Sequence, residues 1–255
     1  MKVLLLGHRG YLGSYLNQHL DVDVLETREL YDNGIEYDYV INCIGIAVLE
    51  YCEEHKRESD YANRDVILDI KKYYPQSKII NFSSYYVYDQ IGLCTEESLT
   101  TAQYNYCRQK LEAEALVTNG VSFRIGKLFG HPDLDKQNKL TEYILKTNDL
   151  VLDEVYFNPT SLRQVLKVVE YELERGKLNG VYNLANAGIT NHYKYGQFID
   201  IALGSNKNIS KVTKHNRSFT NYGYFLMDCS KINRYIRLTH WTKDLVDYLD
   251  DVNTQ

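Results

Sequence analysis

The feature that most constrains the fold is a glycine-punctuated turn close to the start of the chain, Gly7-His8-Arg9-Gly10-Tyr11-Leu12-Gly13. It follows a short apolar run, Lys2 to Leu6, and opens a segment with Leu12, Tyr15, Leu16 and Leu20 at helical spacing. A strand that turns through glycine straight into a helix leaves unpaired N–H groups and a partial positive charge at the turn. Its backbone can also approach a pyrophosphate closely. Three glycines alone would make only a turn and a packing contact. In this strand–turn–helix setting they point to a bound dinucleotide held by Gly7, Gly10, Tyr11, Leu12 and Gly13.

The rest of the chain keeps the same rhythm. Strands are expected at Val22 to Leu25, Tyr39 to Ile44, Lys78 to Phe82, Val121 to Ile125 and Val181 to Leu184. Helices are expected at Asp60 to Tyr74, stopped by Pro75, at Ala102 to Thr118 with Asn119-Gly120 as C-cap, and at Leu162 to Arg175. Strands alternating with helices predict an α/β fold, a Rossmann-like doubly wound parallel sheet. Residues 126–154 and 186–255 break the rhythm and are expected to form a small substrate-binding lobe. It is interleaved with a nucleotide-binding domain of residues 1–125 and 155–185, and built over the carboxyl end of the sheet, where such sheets take ligands.

Composition removes other classes. A net charge of −5 argues against a nucleic-acid partner. The most apolar stretch, Val40 to Leu49, is too short and polar to span a membrane, and the N-terminal apolar run is too short for a signal-peptide core, so a cytoplasmic protein is expected. Five cysteines without a CxxC pair and seven scattered histidines predict neither a disulfide framework nor a metal site.

Two further motifs carry chemistry. The second strand ends Leu25-Glu26-Thr27-Arg28. Glu26 is the acid an NAD site would use on the ribose hydroxyls. Arg28, with Arg9 inside the glycine turn, instead offers two guanidinium groups to a 2′-phosphate, and that arrangement favours NADP(H). The strand Lys78 to Phe82 delivers Ser83-Ser84 at its carboxyl end, and the next helix carries Tyr106-Cys107-Arg108-Gln109-Lys110. Positions i and i+4 share a helix face, so the Lys110 ammonium can sit near the Tyr106 phenol and lower its pKa, while Ser84 holds a substrate oxygen. With 24 tyrosines a YxxxK alone is common by chance. Its order after a glycine turn and a strand-end serine is what makes it specific.

Over most of its length the chain resembles the extended, sugar-nucleotide-modifying short-chain dehydrogenases/reductases, in particular the dTDP-4-dehydrorhamnose reductases. The resemblance is carried by Asp38 to Gly45, Ala62-Asn63, Ser83 to Asp89, Tyr106 to Glu114, Phe123 to Gly130, Asn158-Pro159-Thr160 and Gly180 to Leu184. The first thirty residues also resemble GDP-fucose synthases, in which the residues matching Arg9 and Arg28 meet the NADP 2′-phosphate. The resemblance implies Ser84, Tyr106 and Lys110 as the catalytic set. It implies Cys43, Ile44 and Gly45 along the adenine and ribose, Asn63 behind the cofactor, and Ser83, Ile125 and Gly126 at the nicotinamide. It also implies a homodimer through the helix bearing Tyr106.

Departures narrow the reaction. Tyr85 and Tyr86 stand where dehydratases carry an acid pair, and Tyr86 stands where GDP-fucose synthases carry an epimerising cysteine, so simple ketone reduction is what remains. Lys127 stands where rhamnose-forming reductases place a tryptophan, and Arg217-Ser218 is the nearest relic of their Arg-Pro. The segment Tyr31 to Asp38 is short and lacks room for a covering helix. The expectation is an NADPH-dependent reductase of a 4-keto-6-deoxy sugar nucleotide in surface-glycan synthesis, with Tyr86, Lys127 and Arg217 on the substrate. The alternatives are a catalytically silent NADP-binding regulatory subunit and an NAD-dependent nucleotide-sugar 4-epimerase.

Overall fold

A computed structural model of the chain describes residues 1–25, 30–89, 92–131, 133, 139–212 and 225–253. The first half runs β1 (Val3–Leu6), α1 (Tyr11–His19), β2 (Asp23–Leu25), β3 (Tyr39–Asn42), α2 (Leu49–Glu54), α3 (Lys56–Asp60), a π-helical turn (Tyr61–Asp65), α4 (Val66–Tyr73), β4 (Lys78–Ser84), β5 (Gly92–Cys94) and α5 (Asn105–Leu116). It continues through β6 (Gly120–Ile125), β7 (Lys127–Phe129), α6 (Lys139–Lys146), β8 (Asp149–Asp153), β9 (Tyr156–Phe157), β10 (Pro159–Ser161), α7 (Leu162–Arg175) and β11 (Gly180–Leu184). The C-terminal part holds β12 (Thr190–Asn191), α8 (His192–Leu203), β13 (Asn208–Val212), β14 (Phe225–Met227), α9 (Ser230–Asn233) and α10 (Trp241–Asn253).

Six strands form one parallel sheet in the order β11-β6-β4-β3-β1-β2. A parallel sheet must be covered on both faces, which is why every residue of β1 and β3, and of β4 past Lys78, is buried. On one face Leu12, Tyr15 and Leu16 of α1 and Val165, Val168 and Val169 of α7 pack with Leu5, Ile41 and Phe123. On the other, Val66, Ile67 and Ile70 of α4 and Ala113 of α5 pack with Leu4, Val40 and Ile79. Between β2 and β3 the described residues contain no helix. Leu30 and Tyr37 fill that place, with the Tyr37 ring edge-on to Tyr74 at 5.4 Å.

The chain leaves β1 towards β2 on one side and returns to β3 on the other, so the switch point lies between the carboxyl ends of β1 and β3. A separate core gathers Phe129, Ile144, Leu150, Phe157, Tyr195 and Trp241 from β7, α6, β8, β9, α8 and α10. Ile232 and Ile236, by contrast, join the core of the large sheet.

Three local expectations change. The helix expected from Asp60 is interrupted by the π turn before α4 begins. Helix α5 is shorter than expected, and its C-cap is Val117. Gly120 opens β6 instead of capping the helix. It has φ +139°, and a Cβ there would lie 2.0 Å from the Ile79 carbonyl oxygen of β4.

Candidate active site

The site begins at the switch point. Gly7 follows the last residue of β1 with φ +76°, and a Cβ on it would lie 2.7 Å from the Cys43 carbonyl carbon. Gly13 lies one turn into α1, where a Cβ would come within 2.2 Å of the Gly7 carbonyl oxygen. The turn is closed by Gly10 N–H donating to that oxygen at 3.0 Å, and Gly10 is the N-cap of α1. No side chain fits inside this turn, so the backbone amides are its surface. Arg9 and Gly10 are exposed, Tyr11 is half-buried at the helix start, and Leu12 is buried in the core.

The loop after β3 runs beside it. Asn42 Oδ1 accepts from Ile44 N–H at 3.1 Å, which bends the chain as it leaves the sheet. Asn63 braces the next residues: its Oδ1 accepts from Ile46 N–H at 2.9 Å and its Nδ2 donates to Ile46 O at 3.0 Å and to Gln109 Oε1 at 2.9 Å. The wider π turn carries Asn63 into this inward-facing position. A Cβ on Gly45 would lie 3.2 Å from both Asn63 Oδ1 and Lys110 Nζ, so the loop passes directly over the lysine.

Strand β4 and helix α5 supply the rest. Ser84 ends β4, and its hydroxyl accepts from Tyr86 N–H at 3.2 Å. The Ser84 side chain also lies close enough to the Tyr106 phenol to act on its pKa. Lys110 Nζ donates to Phe82 O at 3.0 Å and lies 5.9 Å from the centre of the Tyr106 ring. Both side chains are buried. Burial pushes the Tyr106 phenol well above its ordinary value, and the neighbouring Ser84 side chain is what opposes it. Burial pulls Lys110 down to about 8 against attraction from Cys52, Glu114 and Cys43, and it pushes the Cys43 thiol up. The opposing partner on the phenol is thus the serine, where sequence spacing had singled out the lysine.

Ser83 takes a different direction. Its hydroxyl donates to Glu114 Oε1, and Glu114 is also held by Arg124 through Nε at 3.0 Å and Nη2 at 2.7 Å. Arg124 reaches on to Tyr88 Oη at 3.1 Å. Ile125 is the register partner of Ser84, which puts Gly126 at the carboxyl end of β6 beside it. The rings of Tyr85 and Tyr86 stack at 4.5 Å, and Tyr86 packs with Cys52, Tyr106 and Cys107. Lys127 meets His192 at 3.0 Å. Arg28 and Arg217 lie outside the described residues.

Sequence reasoning thus brought Ser84, Tyr106, Lys110, Gly45 and Asn63 to one place. It missed Gln109, Glu114 and the Phe82 carbonyl. Glu114 could have been found at i+8 from Tyr106, continuing the same helix face. Among the described residues no group of three or more His, Cys, Asp or Glu side chains could hold a metal ion. No described helix is long and apolar enough to cross a membrane.

The parallel sheet, the glycine turn at its switch point and the Ser-Tyr-Lys set beyond β4 define the class, a Rossmann-type α/β protein of the extended short-chain dehydrogenase/reductase kind. Comparison with known proteins makes this more specific. The model of the RmlD substrate binding domain family matches residues 1–254, and the chain belongs to that family. No curated protein sequence matches it. Among solved structures it is similar to a dTDP-4-dehydrorhamnose reductase from Clostridium acetobutylicum, with TM-score 0.84 and 19% identity over 99% of this chain and 100% of that one. It is similar to the dTDP-4-dehydrorhamnose reductase of Bacillus anthracis in complex with NADP, with TM-score 0.83 and 16% identity over 98% and 100%. It is also similar to RMD from Pseudomonas aeruginosa complexed with NADPH, with TM-score 0.79 and 15% identity over 100% and 98%.

Proposed function

We propose that the chain is an NADPH-dependent reductase of the keto group of a 4-keto-6-deoxy sugar nucleotide, serving deoxysugar synthesis. The observation that carries this reading is the convergence of Ser84, Tyr106 and Lys110 at the end of β4, beside a loop shared with the glycine turn. The cradle fits a dinucleotide, because any Cβ at Gly7 or Gly13 would fill the space against the backbone. Gly7, Gly10, Gly13 and the start of α1 would hold the pyrophosphate, with Arg9 on the ribose-phosphate side, Cys43 to Gly45 along the adenine ribose, and Lys110 near the nicotinamide ribose. The reductases of Bacillus anthracis and Pseudomonas aeruginosa were solved with NADP and NADPH, which supports NADP(H) here.

Bound NADPH supplies the hydride for the carbonyl carbon. Tyr106, kept protonated by its burial, is suited to give its phenolic proton to the carbonyl oxygen as negative charge develops there. Ser84 is suited to donate a hydrogen bond to that same oxygen, and its closeness to the phenol lets the two donors converge on one acceptor. The Lys110 ammonium, fixed by Phe82 O, stabilises the phenolate left behind. Residues 126–154 and 186–255, apart from Ile232 and Ile236 in the core of the large sheet, serve as the substrate lobe, with Tyr86 and Lys127 towards the sugar nucleotide. A cytoplasmic setting and a homodimer through α5 come with this reading on family resemblance alone.

Tyr106→Phe is the test. It should cut NADPH oxidation with a 4-keto sugar nucleotide by at least about 100-fold, the order expected for loss of a general acid. NADPH affinity, followed by fluorescence titration, should stay nearly unchanged. Normal turnover by this variant would sink the mechanism.

A further inference from the structure

Strand β7 delivers Phe129 to the small core, and two residues later His131 lies against α1, which packs on the large sheet. Gly130 between them has φ +99°, a conformation that lets the chain turn from one core to the other. His131 is wholly buried. Its ring lies 5.4 Å from the Tyr11 ring and 6.1 Å, edge-on, from that of Tyr15. Its backbone N–H donates to Tyr11 Oη at 3.3 Å, and its Nε2 lies 2.9 Å from Ser14 Oγ. A residue from the segment after β7 thus grips the first turn of α1 twice.

The printed geometry of these bonds fixes their direction. Asp133 N–H donates to His131 Nδ1 at 3.0 Å, so that nitrogen carries no proton and the imidazole holds its proton on Nε2. The Ser14 hydroxyl donates to Gly10 O at 2.7 Å, the nearer of two acceptors, since Tyr11 O lies at 3.5 Å. Its lone pairs then face His131 Nε2–H. The chain of donors runs one way, from His131 through Ser14 to the Gly10 carbonyl. Ser14 N–H meets the same oxygen at 2.9 Å. Gly10 is the N-cap of α1 and closes the glycine turn. In a trans peptide the carbonyl and the following N–H point opposite ways in one plane. Holding Gly10 O therefore fixes the direction of the N–H at the start of α1, the end of a helix that suits an anion. Two donors on one carbonyl also polarise that peptide and strengthen its N–H as a donor.

We propose that His131 is a positioning residue for the cofactor: acting through Ser14, it orients the first peptide of α1 towards the pyrophosphate. This rests on the reading that the glycine turn holds NADPH.

Fluorescence titration with NADPH and steady-state kinetics with a 4-keto sugar nucleotide test it. His131→Leu has a similar volume but donates nothing. It should weaken NADPH binding about tenfold, while kcat at saturating NADPH stays within about twofold. His131→Gln restores an N–H near the Nε2 position and should bind NADPH within about threefold of the wild type. Ser14→Ala should weaken NADPH binding as His131→Leu does, and it decides the matter if the leucine variant does not fold. The two changes together should be no worse than His131→Leu alone, because the imidazole acts only through the hydroxyl. Unchanged affinity in Ser14→Ala, no rescue by glutamine, a fall in kcat in place of affinity, or losses that add overturns the proposal while leaving the reductase reading in place. A wild type that binds no NADPH overturns both.

Discussion

Replacing Lys110 with methionine should make the ligand-free protein more stable at neutral pH while abolishing turnover. The lysine is buried against Phe82 O and the Gly45 loop, and its pKa falls from 10.5 to about 8. That interval is worth about 3 kcal/mol against the charged form in the folded state. Methionine has similar length and carries no charge, but its substitution forfeits the hydrogen bond to Phe82 O, a loss of about 1 kcal/mol. The net gain is about 2 kcal/mol, or about 5 °C in Tm for a chain of this size. The sign with pH is fixed by the direction of the shift. Below about 8 the lysine is charged in both states, and the folded state bears the whole penalty. Between about 8 and 10.5 the unfolded chain binds more protons, so wild-type stability rises with pH, and the gap to the variant closes. Other titrating groups are common to both proteins and cancel in the difference. Urea unfolding of both proteins at pH 7 and at pH 10, without NADPH, reads the effect directly. A variant less stable at pH 7, or a gap that does not shrink by pH 10, would refute the reasoning.

Two further substitutions test the frame around this site. Gly13→Ala puts a methyl where a Cβ would be 2.2 Å from Gly7 O, so it should distort the turn and cost NADPH affinity about tenfold or more in a fluorescence titration. Glu114→Gln leaves the buried Arg124 guanidinium without its carboxylate and should cost about 3–5 kcal/mol in urea unfolding, while Glu114→Leu with Arg124→Met should cost less than that single change.

What was legible in the sequence is what local side-chain order records. The apolar run into Gly7 announces β1, and Leu12, Tyr15 and Leu16 announce the face of α1 that packs on the sheet. The i, i+4 spacing of Tyr106 and Lys110 needs only the helix to be right, and α5 is a helix there. What was not legible depends on pairings between distant segments. Strands of two to five residues show little period, so nothing local foretells that Gly92 pairs with Phe225 or Asp149 with Asn208. The π turn escapes for a related reason. One extra residue in a turn leaves composition untouched but decides whether Asn63 faces the Ile46 loop or solvent. Asp153, His192 and Lys127 likewise meet only because β7, β8 and α8 share one small core.

The energetic logic of α5 follows from its register. Tyr106, Lys110 and Glu114 occupy successive turns of one face, and that face meets β4 and β6. The second position is costly in the folded chain at neutral pH, since burial lowers the ammonium, whereas the raised phenol is neutral in the folded and unfolded states alike. The third is where the helix is held, by Ser83 and by the paired contacts of Arg124. A helix cannot shift one of these residues without shifting all three, because each turn advances them together. The ion pair at Glu114 therefore sets the position of the proton donor about 12 Å along the axis.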